Sequence, residues 1–413
     1  MITVDGPMTA DLVIEHGRIV GIGEVGEAAQ GAAQEVDAGG CLIGPGFVDL
    51  HVHFREPGQT WKEDIETGSR AAAAGGFTAV VPMANTDPAT DTVDLVRAVA
   101  GRGNEVGLVD LAPAAALTLG RKGKTVGPIE ALWEAGVRIF SDDGDSVADT
   151  AVLQEAMERV AVVGGVVAQH AEDAAMTVNG HMHEGTVSRR LGIGGLPAAA
   201  EVEVVARDLE LAVRSGVRYH VQHASTVGTV SLIRSTGPSM PNLTAEAAPH
   251  HFSLDHESVE DGGTVMKMYP PLRTHDDVRA VADAVRDGTI GVVATDHAPH
   301  SAAEKAVPFE DAPRGIIGLE TSAPLTWSVL HHEPRAFFER MSVTPARIAG
   351  LEGHGRWPEV GRQANLVVFD PRESWTPTRF ASKSQNSPWL GRTLVGRTRA
   401  TIRRGELTYE RAR

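Results

Sequence analysis

The sequence predicts an α/β protein in which eight parallel strands alternate with helices as a (β/α)8 barrel, with a small β-sandwich domain formed by the N- and C-terminal segments. Three observations predict it. Short apolar runs recur through the middle of the chain with Ala-, Glu- and Arg-rich stretches of helical spacing between them, the pattern of buried parallel strands covered by helices. Several of those runs stop at a histidine or an aspartate, which is where the mouth of such a barrel carries its chemistry. Both ends of the chain read instead as strands and hairpins with no helix between them.

Taken in order, Ala10–Glu15 and Arg18–Gly23 read as two strands joined by a tight turn at His16-Gly17. Gly21, Gly23 and Gly26 also satisfy G-x-G-x-x-G, but no strand-to-helix crossover surrounds them, so a strand and its turn is the better reading. The candidate barrel strands are Phe47–His53, Thr78–Met83, Glu105–Leu111, Val137–Ser141, Gly165–Gln169, Tyr219–Gln222, Leu243–Ala247 and Ile290–Thr295. Helical stretches include Thr150–Val162 and Ala199–Ser215, and two loop-rich intervals, Asn179–Leu196 and Ala298–Gly318, leave C-terminal strand ends. Ala364–Asp370 and Arg399–Tyr409 return to strand and hairpin. The expected division is therefore residues 46–355 as a TIM-like barrel, with 1–45 and 356–413 sharing the β domain, since chain termini often lie close together.

Composition narrows the class. At 413 residues, 42% hydrophobic and 22% charged, the chain has an ordinary globular make-up, and a net charge of −16 argues against nucleic acid or an anionic membrane as partner. No apolar run reaches the length of a membrane span and the N-terminus lacks a signal-peptide layout, so the cytoplasm is the expected location. Cys41, the single cysteine, excludes an intrachain disulfide and any cysteine-based zinc cluster. A metal here must bind through histidine and carboxylate.

Six such side chains stand at strand ends: His51, His53, Asp143, His170, His223 and Asp296. Alternation puts His51 and His53 on one face of their strand, about 7 Å apart along it. Together the six exceed the three protein ligands that one catalytic zinc usually takes, which points to two ions. Two neighbouring cations need a bridging anion. Asp143 stands where a bridging carboxylate could come from, with Asp142 as its rival, and a lysine bridge is closed on the central strands because no lysine occurs between Lys124 and Lys267. Asp49, alternating with the histidine pair, is expected to orient a ligand rather than be one. His250 and His251 read as loop structure or outer support. His16, His181, His183, His256, His275, His331, His332 and His354 lie outside strand ends and are expected to be solvated.

The segments Asp49-Leu50-His51-Val52-His53-Phe54-Arg55-Glu56-Pro57-Gly58, Met83-Ala84-Asn85-Thr86, Phe140-Ser141-Asp142-Asp143-Gly144, Pro249-His250-His251, Pro270-Pro271-Leu272-Arg273 and Ala294-Thr295-Asp296-His297-Ala298-Pro299-His300 resemble dihydroorotase, in the bacterial class I of the amidohydrolase superfamily. The likeness runs nearly end to end. It implies a zinc enzyme with two Zn²⁺, His51, His53 and Asp296 on one ion, His170 and His223 on the other, and Asp143 across both. It also implies the reversible cyclisation of N-carbamoyl-L-aspartate to L-dihydroorotate in pyrimidine biosynthesis, with Asp296 as general base and then acid. Arg55 would pair with the substrate carboxylate, which its planar fork suits, together with Asn85, His300 and the backbone near Gly315. Tyr269 stands where the family has an asparagine against the substrate ring, Arg314 replaces a phenylalanine and Ala84 a proline. These departures bear on substrate rather than on hydrolysis. The alternatives are another cyclic amidohydrolase (a hydantoinase, dihydropyrimidinase or allantoinase) or a catalytically silent scaffold for aspartate carbamoyltransferase. A homodimer, or an assembly with that transferase, is the oligomeric expectation.

Overall fold

Eight strands lie where the apolar runs place them in the computed structural model, which describes residues 1–24, 32 and 34–411. They are β1 (Phe47–Val52), β2 (Phe77–Pro82), β3 (Asp110–Leu111), β4 (Ile139–Phe140), β5 (Val166–Gln169), β6 (Arg218–Val221), β7 (Leu243–Ala247) and β8 (Val292–Val293). All neighbours are parallel, in a three-stranded sheet β1-β2-β3 and a five-stranded sheet β4-β5-β6-β7-β8. Isolated parallel bridges join the two sheets at both edges, Val52 to His297 and Ala115 to Phe140.

Strand β8 is shorter than expected by two residues at each end and β4 by two at its start and one at its end, and β3 differs most. Glu105 and Val106 close the helix Val93–Val106 instead of opening β3, because Gly107 adopts φ 73° and donates to Gly103 O at 2.9 Å, ending the helix in the left-handed region that glycine enters without strain. The helices following β4 and preceding β6 run Thr150–Val163 and Ala199–Ser215, as their spacing predicts. Asp149 caps the first of them by accepting from Ala151 N and Val152 N.

The packing follows the alternation of β5 and β8. Val166, Ala168, Val292 and Ala294 join Val48, Leu50, Ala79 and Val81 in one apolar cluster. Val167 and Val293 join the larger cluster that takes in Leu153, Val205, Leu209 and Val285 from the helices. Burying each such side chain contributes roughly 1.5–3 kcal/mol. The result is a set of strand C-termini held rigidly over an apolar floor.

The chain ends meet in one antiparallel sheet, ordered Glu406–Glu410, Leu394–Arg403, Leu366–Trp375, Leu42–Pro45. The N-terminal hairpin Asp11–Glu15/Arg18–Gly23 bridges to it at Gln363 through Arg18, and its Ile19 is buried with Ala364 and Leu366. Gly21 and Gly23 sit in that hairpin opposite Val13 and Asp11, as strand residues; Gly26 lies outside the described residues. Among the described residues no helix is long and apolar enough to cross a membrane.

Candidate metal centre and substrate pocket

Five of the eight strand ends deliver the six candidate ligands. β1 carries His51, with His53 just beyond it; Asp143 follows β4, His170 follows β5, and His223 and Asp296 stand shortly after β6 and β8. Arg55, His223 and Asp296 hold φ of 58°, 29° and 48°, a left-handed conformation that costs a non-glycine residue energy and concentrates at functional sites.

The six converge. Ligand atoms of His51, His53 and Asp143 lie within 4.8 Å of one another, as do those of Asp143, His170 and His223, so one carboxylate belongs to both groups. Asp143 Oδ1 is 3.3 Å from His51 Nε2, 3.6 Å from His223 Nε2 and 3.8 Å from His170 Nδ1, while its Oδ2 is 3.5 Å from His53 Nε2. Asp296 Oδ1 lies 3.0 Å from His53 Nε2 and 3.6 Å from His51 Nε2. Asp142, the rival bridge, turns away and accepts from Thr118 N at 3.0 Å and from the Thr118 hydroxyl.

The protonation pattern asks for a cation. His51 Nδ1 donates to Glu246 Oε1 at 2.8 Å and His53 Nδ1 donates to Asn85 Oδ1 at 2.8 Å. Burial lowers the His53 pKa, so its ring is neutral and Nε2 turns a lone pair on the oxygens of Asp296 and Asp143. His51 Nε2 and Asp143 Oδ1, both buried and 3.3 Å apart, have no hydrogen-bond partner among the described residues, and against the effect of burial the Asp143 and Glu246 carboxylates raise the His51 pKa. His170 is pushed down to about 3 by burial and by His223, whose Nε2 faces its Nδ1 at 2.9 Å. Lone pairs aimed at one another repel unless a positive charge stands between them, and a His/carboxylate set is the donor chemistry of a hard-to-borderline divalent ion. Burial alone would raise the Asp296 pKa; the His53 contact and the nearby imidazoles outweigh it and hold the carboxyl below its usual range.

Support comes from residues that the strand-end pattern did not single out. Glu246, inside β7, accepts from His51 and, at 3.0 Å, from His220 Nε2 of β6. Gln222 accepts from Ser141 Oγ at 2.9 Å, and that oxygen in turn accepts from Asp143 N at 3.0 Å. A glutamate in the largely apolar run Leu243–Ala247 was the available signal. Asp49 acts on backbone rather than on a ring: it accepts from His51 N, Thr295 N and Thr295 Oγ1, tying β1 to β8. His183, His256 and His354 are buried, contrary to expectation, and His354 bonds Thr78 Oγ1 and Asp110 Oδ2. His250 and His251 are buried in a single turn, where His251 Nε2 donates to Pro270 O at 3.0 Å.

Above the centre opens a cavity of ≈ 150 Å³ whose walls include Arg55, Asn85, Tyr269, His300, Arg314 and Gly315. Every expected substrate contact reaches it. Arg55 donates through Nε to Pro299 O at 3.3 Å and sits 3.5 Å from His300 Nε2; Glu56 and Asp64 are engaged by Ile65 N and Lys383, so neither draws it to the surface. Burial lowers the Arg55 pKa to about 10, leaving it cationic near neutrality. Asn85 also donates to Asp143 Oδ2 at 3.3 Å, so it serves the metal group as well as the wall. Gly315 takes φ 121°, and a Cβ there would meet Ala298 Cβ at 2.5 Å.

A dihydro-orotase-like family model matches residues 40–228. The dihydroorotase of Sulfurihydrogenibium sp. (strain YO3AOP1) is 41% identical over 97% of this chain and 95% of its own, and that of Mycobacterium leprae is 43% identical over 96% and 94%. The chain belongs to the dihydroorotase family. As a dihydroorotase family member it is a hydrolase of cyclic amide C–N bonds. Among solved structures, the L-hydantoinase of Arthrobacter aurescens superposes with a TM-score of 0.87 at 24% identity over 100% of this chain and 95% of that one. The dihydropyrimidinase of Brevibacillus agri gives 0.82 at 20%, over 99% and 93%. These two likenesses concern the fold alone. Tyr269 and Arg314 touch each other: the guanidinium lies 4.1 Å over the phenol ring, whose hydroxyl donates to Glu172 and whose centroid lies 4.4 Å from that of His170.

Proposed function

We propose that this chain interconverts L-dihydroorotate and N-carbamoyl-L-aspartate at a two-zinc centre, His51, His53 and Asp296 holding one ion, His170 and His223 the other, and Asp143 both. The observation that carries this is one carboxylate shared by two histidine groups at the base of a pocket whose wall bears a half-buried arginine. Zinc, when bound there, would acidify water and polarise the ring carbonyl. The residues of the chain do the rest. Arg55, His300 and Asn85 fix the substrate carboxylate, which aims the scissile amide at the centre. Asp296, with Oδ1 turned to the imidazoles, uses Oδ2 to take the proton of the attacking water. It then returns that proton to the departing ring nitrogen, so the C–N bond breaks as the C–O bond forms and no other reactant is needed. Cyclisation runs the same transfers backwards.

The same reading closes the eight strands into a (β/α)8 barrel over residues 46–355, supported by the edge bridges Val52–His297 and Ala115–Phe140, and assigns 1–45 and 356–413 to a β-sandwich domain. It places the enzyme in the cytoplasm, as a homodimer or beside aspartate carbamoyltransferase. Tyr269 favours a second reading, a hydantoin or dihydropyrimidine substrate; the half-buried Arg55, whose charge such uncharged rings would leave without a counter-ion, opposes it. A scaffold role is opposed by the convergence of all six ligands. The deciding experiment measures zinc content and turnover of dihydroorotate, hydantoin and dihydrouracil on one preparation. Two zincs per chain with dihydroorotate preferred is the expected result; turnover of hydantoin alone, or a chain that takes up no zinc, overturns it.

A further inference from the structure

The segment between strands Leu366–Trp375 and Leu394–Arg403 leaves its own sheet and reaches the rim of the pocket. Ser382 Oγ and Lys383 N donate to the buried Glu63, Lys383 Nζ donates to Thr60 O and pairs with Asp64, and Ser384 Oγ donates to Lys62 O at 2.6 Å. These contacts seat the segment against the loop after β1. The next residues then meet the loop after β8. Asn386, 5% exposed, accepts from His300 N on Oδ1 at 3.1 Å and donates from Nδ2 to Ala298 O and Gly315 O, each at 3.1 Å. Its backbone oxygen accepts from Ile317 N at 3.1 Å. One amide thus joins the two stretches, 298–300 and 315–317, that carry His300 and Gly315. His300 Nε2, so placed, donates to Arg314 O at 2.8 Å and stands beside Arg55.

We propose that Asn386 is a positioning residue for the carboxylate-binding end of the pocket, so that the C-terminal part of the chain completes a site otherwise built on the strand ends. The proposal rests on the dihydroorotate reading above. Its logic is one of satisfied groups: Asn386 uses its acceptor and its donors on three backbone atoms that are themselves buried, and no other side chain type offers that set in that shape. Without it the rim stretches can part, and His300 drifts relative to Arg55. Asn386 bonds none of the six candidate ligand side chains; its contacts lie in the loop beyond Asp296 and around Gly315. Asn386 should therefore govern how tightly the carboxylate is gripped rather than how fast the amide reacts.

The test is a double-mutant cycle on the zinc-loaded enzyme with Asn386→Ala, His300→Ala and the pair, read by kcat, KM, zinc content and the Kd of N-carbamoyl-L-aspartate by calorimetry. Asn386→Ala is expected to raise KM and Kd about tenfold, the loss associated with hydrogen bonds to a charged group, with kcat and zinc content nearly unchanged and almost no further rise when His300 is already alanine. Asn386→Asp keeps the acceptor for His300 N but sets an oxygen against two carbonyls, so it should behave like the alanine variant. A fall of kcat in step with the rise in KM, an equal effect in the His300→Ala background, or an unchanged KM overturns the proposal. So does failure of both Asn386 variants to fold, which would make the residue a support of the fold and not of the pocket. If the unmutated, zinc-loaded enzyme does not turn over dihydroorotate, it is the underlying functional reading that fails, and the cycle is not what reports it.

Discussion

His51 is aimed by Glu246, a carboxylate 195 positions away in sequence, and this dependence is testable apart from catalysis. Replacing Glu246 by glutamine keeps the shape but removes the charge that holds the Nδ1 proton, so Nε2 becomes a poorer ligand. The expected outcome is a loss of metal affinity of about 10- to 100-fold, measured by competition with a chromogenic chelator, with the circular dichroism spectrum preserved. Asp296→Ala removes the proton carrier together with one candidate metal ligand, so kcat should drop by about 10²- to 10⁴-fold or more while the protein remains folded; near-normal turnover would refute Asp296 as the base. The residues behind these two predictions differed in legibility. Asp296 could be read because it ends an apolar run, as do His170 and His223, and a polar residue at such a boundary stands out. Glu246 and His220 lie within strands, where a buried polar group is explained only by a partner that comes from elsewhere in the chain.

At the scale of elements, strands announced themselves by composition and their ends by helix chemistry. β5 and β7 lie within a residue of expectation because each is a short, largely apolar segment bounded by polar or turn residues, even though β7 also carries Thr244 and Glu246. β3 does not, because Glu105 and Val106 are spent on the last turn of the preceding helix and only Asp110 and Leu111 pair with β2. The long loop after β8 is held by a device that periodicity cannot reveal. Lys267 Nζ donates to Phe309 O and Glu310 O, and Lys305 Nζ to Thr264 O and Pro313 O. Burial first, then Lys267 and Arg55 nearby, lowers the Lys305 pKa from 10.5 to about 7. An unfolded lysine keeps its proton across that interval, so between about pH 7 and pH 10 the unfolded chain binds more protons than the folded one, and this group's contribution to stability rises with pH. Urea unfolding at several pH values should show that rise in the unmutated protein and a shallower one in Lys305→Met. Equal slopes would mean that the buried amine is not titrating as the contacts require.

For the whole molecule, the candidate ligands come from the ends of β1, β4, β5, β6 and β8, and β1 and β8 belong to separate sheets that meet through a bridge, the Asp49 bonds and apolar packing. A cation bound at that junction links elements far apart in sequence, and any ligand that binds the folded but not the unfolded chain stabilises it by mass action, about 2.7 kcal/mol when present at a hundred times its Kd. The apo protein carries the opposite burden: buried carboxylates are packed against imidazoles of which His53 and His170 are held neutral by burial, and Asp143 Oδ1 and His51 Nε2 have no hydrogen-bond partner among the described residues. Removing metal with a chelator should therefore lower the thermal midpoint, and adding back zinc should restore it together with activity, whereas magnesium, which prefers oxygen ligands and dehydrates reluctantly, should not. The same scan on Asp143→Ala should show no zinc-dependent shift of comparable size, because that substitution removes the one group common to both halves of the centre. Coincident midpoints for the chelated and zinc-loaded unmutated protein would mean that the six side chains meet for some purpose other than holding metal.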